Sequence, residues 1–484
     1  MEDREVARAV GRAGLLALPA LMGTVRNCVV PVEQIVGRVP DDALFYLVVA
    51  RRLAAGEGFT FDGVAPTTGF HPLWAWLVAA GVPTADPVRG LGGLLALHGV
   101  AVVASVLLLE RALARVGVGA WRRGLGAAAA GAWGASAYGL GMETALVSAL
   151  ALAAVNLGLD DRSRGVPAGL VGLAMGLTRV DALPLLLGAG RRAPSALAGG
   201  ILGVLLTLGF NRAVAGEWGS TAAHLKALGT VAARLQRLDP GVVWRHAPGP
   251  AVAAAIVIGV AYASRLRTGG RGGPVLPSPF IGALVGGLGW LAASYLLNNL
   301  VGPWYHLPLA WLLIAGALVA AERLHGRIVG GVLTAALLVA LLRGVALPTP
   351  GLHGTVVAFA RELSAHTPPE ARILAEDFPG AIAWFGERTV LPADGLAASP
   401  GYREALTTGT ALSWWTERGA THYAVTRRRA PWLHTKRLHT TPLLDHIAPP
   451  FLPVPPSPVP LDPAALVVEE VDVGSDRLFA LYRL

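Results

Sequence analysis

Two carboxylates stand side by side at Asp41-Asp42, after Pro40 and before Ala43-Leu44-Phe45-Tyr46. A proline followed by two acids is a good helix start, with Asp41 as the cap and Asp42 against the positive end of the dipole. The pair can also do proton chemistry. Adjacent helical residues point about 100° apart, so one carboxylate would meet a substrate while the other caps or orients. His71, in Gly69-Phe70-His71-Pro72, either caps the helix that Pro72 opens or adds a second polar group. Glu143 reads as a helix-start carboxylate or as a further acid. Arg179 and Asp181 lie between two very apolar runs, where ionisable groups are costly and either pair with each other or carry function.

The elements that must position these residues are apolar. Of 484 residues, 54% are hydrophobic and 15% charged, too apolar for a disordered, collagenous or ordinary soluble chain. Runs near 13–33, 90–113, 124–140, 144–158, 165–178, 181–190, 195–211, 250–264, 276–300, 305–321 and 328–346 predict about eleven membrane spans, with 165–178 and 181–190 short enough to form one kinked helix. The segment 13–33 is expected to be an uncleaved anchor. The net charge of +9 reflects arginines clustered between spans and not a nucleic-acid surface. Lysine occurs only at Lys226 and Lys436, against 38 arginines, and the single Cys28 rules out an intrachain disulfide.

Arginines at 115, 122, 123, 162, 164, 191, 192, 265, 267, 271, 323 and 327 fall in alternate connections. Placing these inside puts the first loop, 34–89, and everything after 346 outside. In that loop Leu44, Phe45, Val48, Val49 and Leu53 have helical spacing, predicting an amphipathic interfacial helix ended by Gly56; Trp74 and Trp76 suit the interfacial belt, and Trp304 and Tyr305 read as interfacial aromatics. Residues 347–484 predict a small α/β domain, with strands at 372–375, 422–425 and 478–482 and helical pieces at 404–406 and 414–418. The proline-rich stretch 449–463 reads as a surface strap. The expected fold is thus an α-helical polytopic membrane protein (1–346) with a C-terminal extracytoplasmic α/β domain.

Asp41-Asp42 with its aromatic pair, the following Ala-Arg helix, Gly58-Phe59-Thr60-Phe61-Asp62-Gly63 and Gly69-Phe70-His71-Pro72-Leu73-Trp74 resemble the first external loop of bacterial GT-C glycosyltransferases, and less closely the mycobacterial arabinofuranosyltransferases. In the same order, Gly141-Met142-Glu143-Thr144, Gly176-Leu177-Thr178-Arg179-Val180-Asp181, the stretch Asn211–Lys226, Trp304-Tyr305-His306, Asp377-Phe378-Pro379-Gly380 and Ala393-Asp394-Gly395-Leu396 are similar to later parts of such proteins. Thr68 stands where an asparagine is expected, and Val180 where a proline is.

The resemblance implies a GT-C-like fold and transfer of a sugar, with inversion, from a polyprenyl-phosphate donor to an extracytoplasmic glycan, lipid or protein. Its setting is the inner or plasma membrane. Asp41 or Asp42 is then the base, Asp41 slightly preferred, and Glu143 the second acidic candidate. Lys226, Arg179, Arg212 and His306 become candidates for the donor phosphate, with His71 and Asp181 beside the substrate. A divalent metal ion is compatible with the resemblance but has no assigned ligands. The competing readings are a transporter or lipid flippase using intramembrane polar groups such as Asp181, and a glycan-binding scaffold.

Overall fold

The computed structural model describes residues 2–136, 139–160, 165–226, 276–298, 303–323, 352–398, 401–428, 435–438, 457–460, 463–471 and 477–484. The chain begins with α1 (Glu2–Val29), a short α2 (Val32–Ile35), α3 (Asp41–Ala54), α4 (Pro72–Gly81), α5 (Pro87–Arg115), α6 (Ala120–Gly134), α7 (Thr144–Leu159) and α8 (Gly165–Thr178). A 3-10 segment, Val180–Arg192, leads into α9 (Ala193–Ala215) and α10 (Thr221–Lys226), followed by α11 (Ser278–Asn298) and α12 (Leu307–Arg323). The expected spans at 250–264 and 328–346 lie outside the described residues, and with them part of the predicted count of eleven.

Among the described residues, Pro87–Arg115 and Val180–Ala215 are long and apolar enough to cross a membrane, and several shorter apolar helices pack beside them. Large apolar side chains face outward on α1 (Leu15, Met22, Val25), α8 (Val166, Leu170) and α9 (Ile201, Leu202, Leu205, Leu206). A surface of this kind suits hydrocarbon and not water.

The runs 165–178 and 181–190 do not make one kinked helix. Helix α8 stops at Arg179, whose backbone is extended, and the chain continues as a 3-10 segment containing Pro184. That geometry rises about 2 Å per residue, so ten to thirteen residues cover roughly 20–26 Å, close to a hydrocarbon thickness of about 30 Å. Gly190, at φ 58°, then breaks the segment from α9. Helices α8 and α9 approach backbone to backbone: a Cβ at Gly172 would overlap the Ala196 carbonyl, and one at Gly176 the Gly200 carbonyl. Small residues spaced three or four apart permit this approach.

After α13 (Leu352–His366) the tail contains β1 (Arg372–Ala375), α14 (Pro379–Phe385), β2 (Thr389–Pro392), α15 (Tyr402–Thr407), α16 (Ala411–Thr416), β3 (His422–Arg428), β4 (Thr435–Leu438), β5 (Ser457–Pro460), β6 (Leu466–Val471) and β7 (Arg477–Arg483). Five strands form a sheet in the order β2-β1-β3-β7-β6, with β1 parallel to both its neighbours and β7 antiparallel to β3 and β6. Within the proline-rich stretch 449–463, Ser457–Pro460 pairs antiparallel with Thr435–Leu438; most of the remainder lies outside the described residues.

Helix α3 leaves no apolar face open along its middle. Its residues from Ala43 to Ala50 are all buried, because the tail covers the face left open by the bundle. Val36, Leu44, Phe45, Trp74 and Leu94 share one buried cluster with Val357, Phe359, Ile382 and Trp384 of the tail. Trp74 is core and not belt, donating from Nε1 to the Gly141 carbonyl at 2.9 Å, whereas Trp76 is exposed.

The α8–α9 seam leads directly to Arg179, so wedging it should disturb both packing and site. Gly176→Leu should lower stability by about 1–3 kcal/mol, read as an earlier thermal transition in detergent. Gly209→Leu, at an α9 position with open space around it, should not; equal effects of the two would refute the seam.

Candidate functional site

The site is a cavity of about 340 Å³ at one end of the bundle, lined by residues from widely separated parts of the chain. Helix α3 supplies Asp42, Phe45 and Tyr46, the loop before α4 supplies Gly69, Phe70 and His71, and Met142 precedes α7. The α8 exit supplies Arg179, Val180 and Asp181; Ser220, Ala222 and Ala223 come from the start of α10, Trp304 and Tyr305 from the turn before α12, and Leu396 from the tail.

One charged network holds the wall. Arg179 donates from Nη1 to Glu143 Oε1 at 2.6 Å, and both side chains are almost wholly removed from solvent (3% and 0% exposed). It also grips Asp181 with two parallel bonds of 2.9 Å, from Nε and Nη2. Tyr46 donates its hydroxyl to Glu143 Oε2 at 2.8 Å, and His71 Nε2 lies 3.6 Å from Glu143 Oε1. The guanidinium carbon of Arg179 sits 4.3 Å from the centre of the Tyr305 ring, a favourable cation–π geometry. Two carboxylates thus share one guanidinium, leaving the network an excess of negative charge unless His71 is protonated.

The backbone explains this convergence. His71 takes the position preceding the first turn of α4, but its side chain makes no capping bond and instead approaches Glu143. Glu143 occupies the equivalent position before α7. The stop at Thr178 turns Arg179 and Asp181 into the cavity mouth. Thr68, where an asparagine was expected, is buried; its backbone N–H donates to Thr221 Oγ1 at 3.1 Å, and the Thr221 N–H donates back to Thr68 Oγ1 at 3.3 Å. That exchange fastens the first loop to α10.

Asp41 and Asp42 face different ways. Asp42 lines the cavity. Asp41 accepts from the backbone N–H groups of Gly380 and Ala381 at 2.8 and 2.7 Å, at the first turn of α14. Burial pushes the Asp41 carboxyl up to about 7 against the pull of these two donors, and Asp42 and Asp377 push the same way. Asp394, buried nearby, is also raised, first by burial and then by Asp41 and Asp42.

The other expected residues are less central. Arg212 is exposed and bonds the Gly216 carbonyl at the end of α9. His306 is buried at the end of the turn carrying Tyr305 and does not line the cavity. Lys226 ends α10 one turn past Ala222 and Ala223; its side chain lies outside the described residues. Among the described residues no group of three or more His, Cys, Asp or Glu side chains is placed to hold a metal ion, so the divalent ion compatible with the resemblance has no ligand set there. Tyr46 and Tyr305 were not expected as site residues. Tyr46 was legible, standing four residues after Asp42 and so on the same helix face; Tyr305, taken as an interfacial aromatic, becomes identifiable only once the fold sets it under Arg179.

No protein-family profile and no curated protein matches the sequence. Solved structures of the oligosaccharyltransferase of Archaeoglobus fulgidus are similar at 11% identity. The form with zinc and sulfate aligns over 85% of this chain and 67% of its own, with a TM-score of 0.48. The form tethered to an acceptor peptide containing the NVT sequon through a disulfide aligns over 86% and 69%, with a TM-score of 0.44. The apo form aligns over the same shares, with a TM-score of 0.46.

Removing one partner of a buried ion pair strands the other, at a cost of about 3–5 kcal/mol. Glu143→Ala should therefore destabilise the detergent-solubilised protein on that scale, and Glu143→Gln, which keeps the Tyr46 contact, by less. A Glu143→Ala protein as stable as the parent would mean that the pair does not hold the wall.

Proposed function

We propose that the chain is an integral membrane glycosyltransferase that moves a sugar from a polyprenyl-phosphate donor to a hydroxyl of a glycan, lipid or protein outside the cytoplasm, with inversion. The observation that carries this reading is the cavity itself. A carboxylate, Asp42, lines a partly enclosed space at a bundle end, beside a buried network that fixes the opposite wall. The orientation is supported by α7: Met142, just before its start, lines the cavity, while Arg115, bonded to Asp160, and Arg192, bonded to the Leu157 carbonyl, gather at its end. Arginines favour the cytoplasmic side, which supports reading the cavity and the tail on the other.

In this reading the acceptor oxygen attacks the anomeric carbon from the face opposite the phosphate. As that C–O bond forms, the acceptor proton passes to the Asp42 carboxylate. The bond from the anomeric carbon to the phosphate oxygen breaks, and its electron pair leaves with the polyprenyl phosphate. The Arg179 guanidinium is already shared by Glu143 and Asp181, so its task is to hold the wall. The phosphate charge falls to His71 and, from the end of α10, to Lys226. Tyr46 orients Glu143, and Phe45, Phe70 and Trp304 supply apolar walls that limit water.

Asp42→Asn preserves shape and removes proton acceptance. With a radiolabelled polyprenyl-phosphate sugar, turnover should fall about 10²- to 10⁴-fold while the protein still inserts and binds donor. Full transfer by Asp42→Asn would place the base elsewhere, and absence of transfer by the parent chain from any lipid-linked sugar would end the enzyme reading.

A further inference from the structure

Helix α3 grips α14 at both ends. At the α14 start, the N–H groups of Gly380 and Ala381, which have no partner inside a helix, donate to the two oxygens of Asp41. At its end, Arg51 donates from Nη2 to the Ala383 carbonyl at 2.7 Å and from Nη1 to that of Trp384 at 3.5 Å. A carboxylate at a helix N-terminus and a cation at its C-terminus both oppose the helix dipole. The Arg51 guanidinium carbon also lies 5.0 Å from the Trp384 ring centre, and Trp384 donates from Nε1 to the Pro87 carbonyl at 2.9 Å.

The fit is close and carries strain. A Cβ at Gly380 would run into the Asp41 backbone oxygen and the Phe45 ring. Phe378, just before α14, has φ 57°, an unfavourable conformation for an aromatic residue that persists only where its surroundings enforce it. The tail also reaches the cavity directly, since Leu396 lines it and its carbonyl occupies the space a side chain at Gly69 would need.

We propose that Asp41 and Arg51 are positioning residues, and that the α14 dock is what aims Asp42 into the cavity. This rests on the reading of Asp42 as base given above. Asp41 and Asp42 are consecutive, so the direction of one is set by fixing the other: with Asp41 held on α14, Asp42 points about 100° away, toward Phe45, Tyr46 and the cavity. The tail thereby takes part in the reaction without touching the reacting atoms.

Arg51 lines no part of the cavity, so Arg51→Ala loosens the dock without changing site chemistry. Hydrogen exchange of the full-length protein should quicken over residues 379–385 and also over 41–46. Turnover should fall about ten- to a hundredfold, as expected for a displacement near 1 Å, with donor KM kept within about twofold. Arg51→Lys, which keeps a cation at the carbonyls, should recover most of the turnover. Faster exchange with unchanged turnover would overturn the proposal, as would unchanged exchange over 41–46 or a loss confined to KM. A parent chain that transfers no sugar would overturn the enzyme reading, and the exchange over 41–46 would then decide the positioning role alone.

Discussion

The buried hydrogen bond between Glu143 and Arg179 constrains everything else in the site. Each charge, left alone in this setting, would be strongly unfavourable, so each demands the other and the groups around it. Meeting that demand requires the start of α7, the stop of α8, the face of α3 bearing Tyr46, the entry to α4 with His71, and the turn before α12 with Tyr305. Five separate stretches of chain are fixed relative to one another by satisfying one ion pair. The cavity is the space they leave.

A second constraint acts on α3. Its inner face belongs to the bundle and its outer face to the tail, so two consecutive carboxylates serve two different partners. Asp41 completes the hydrogen bonding of α14, and Asp42 borders the cavity. The mixed cluster of α3, α4, α13 and α14 residues makes the first loop and the tail one packed unit.

Much of this was legible in the sequence. Asp42, His71, Glu143, Arg179 and Asp181 were singled out by type and setting; four of them line one cavity, and Glu143 lies behind its wall, bonded to Arg179. Strands at 372–375, 422–425 and 478–482 follow from apolar patterning and are present. What could not be read were facts of tertiary partnership. The amphipathic pattern of α3 gave one apolar face, but the tail buries the other. Asp41 was slightly preferred as base from its place as the first acid of the pair in the resemblance, and nothing local reveals its bond to α14, more than 300 residues away. The segment at 181–190 was too short for an α-helical span, and its 3-10 rise is set by Pro184 and by packing against α11 and α7. Trp74 and Tyr305 were assigned to the membrane interface by residue type, whereas burial decided them.

Sugar transfer in this cavity, against Asp42, is the reaction proposed for the site. The most direct measurement is a structure of the full-length protein in lipid with a non-hydrolysable polyprenyl-phosphonate sugar. The sugar should occupy the cavity, its anomeric carbon on the Asp42 side and its phosphonate toward His71 and the end of α10, with the Glu143–Arg179–Asp181 network intact. A lipid-linked sugar bound elsewhere, or one that enters only by breaking that network, would contradict the account.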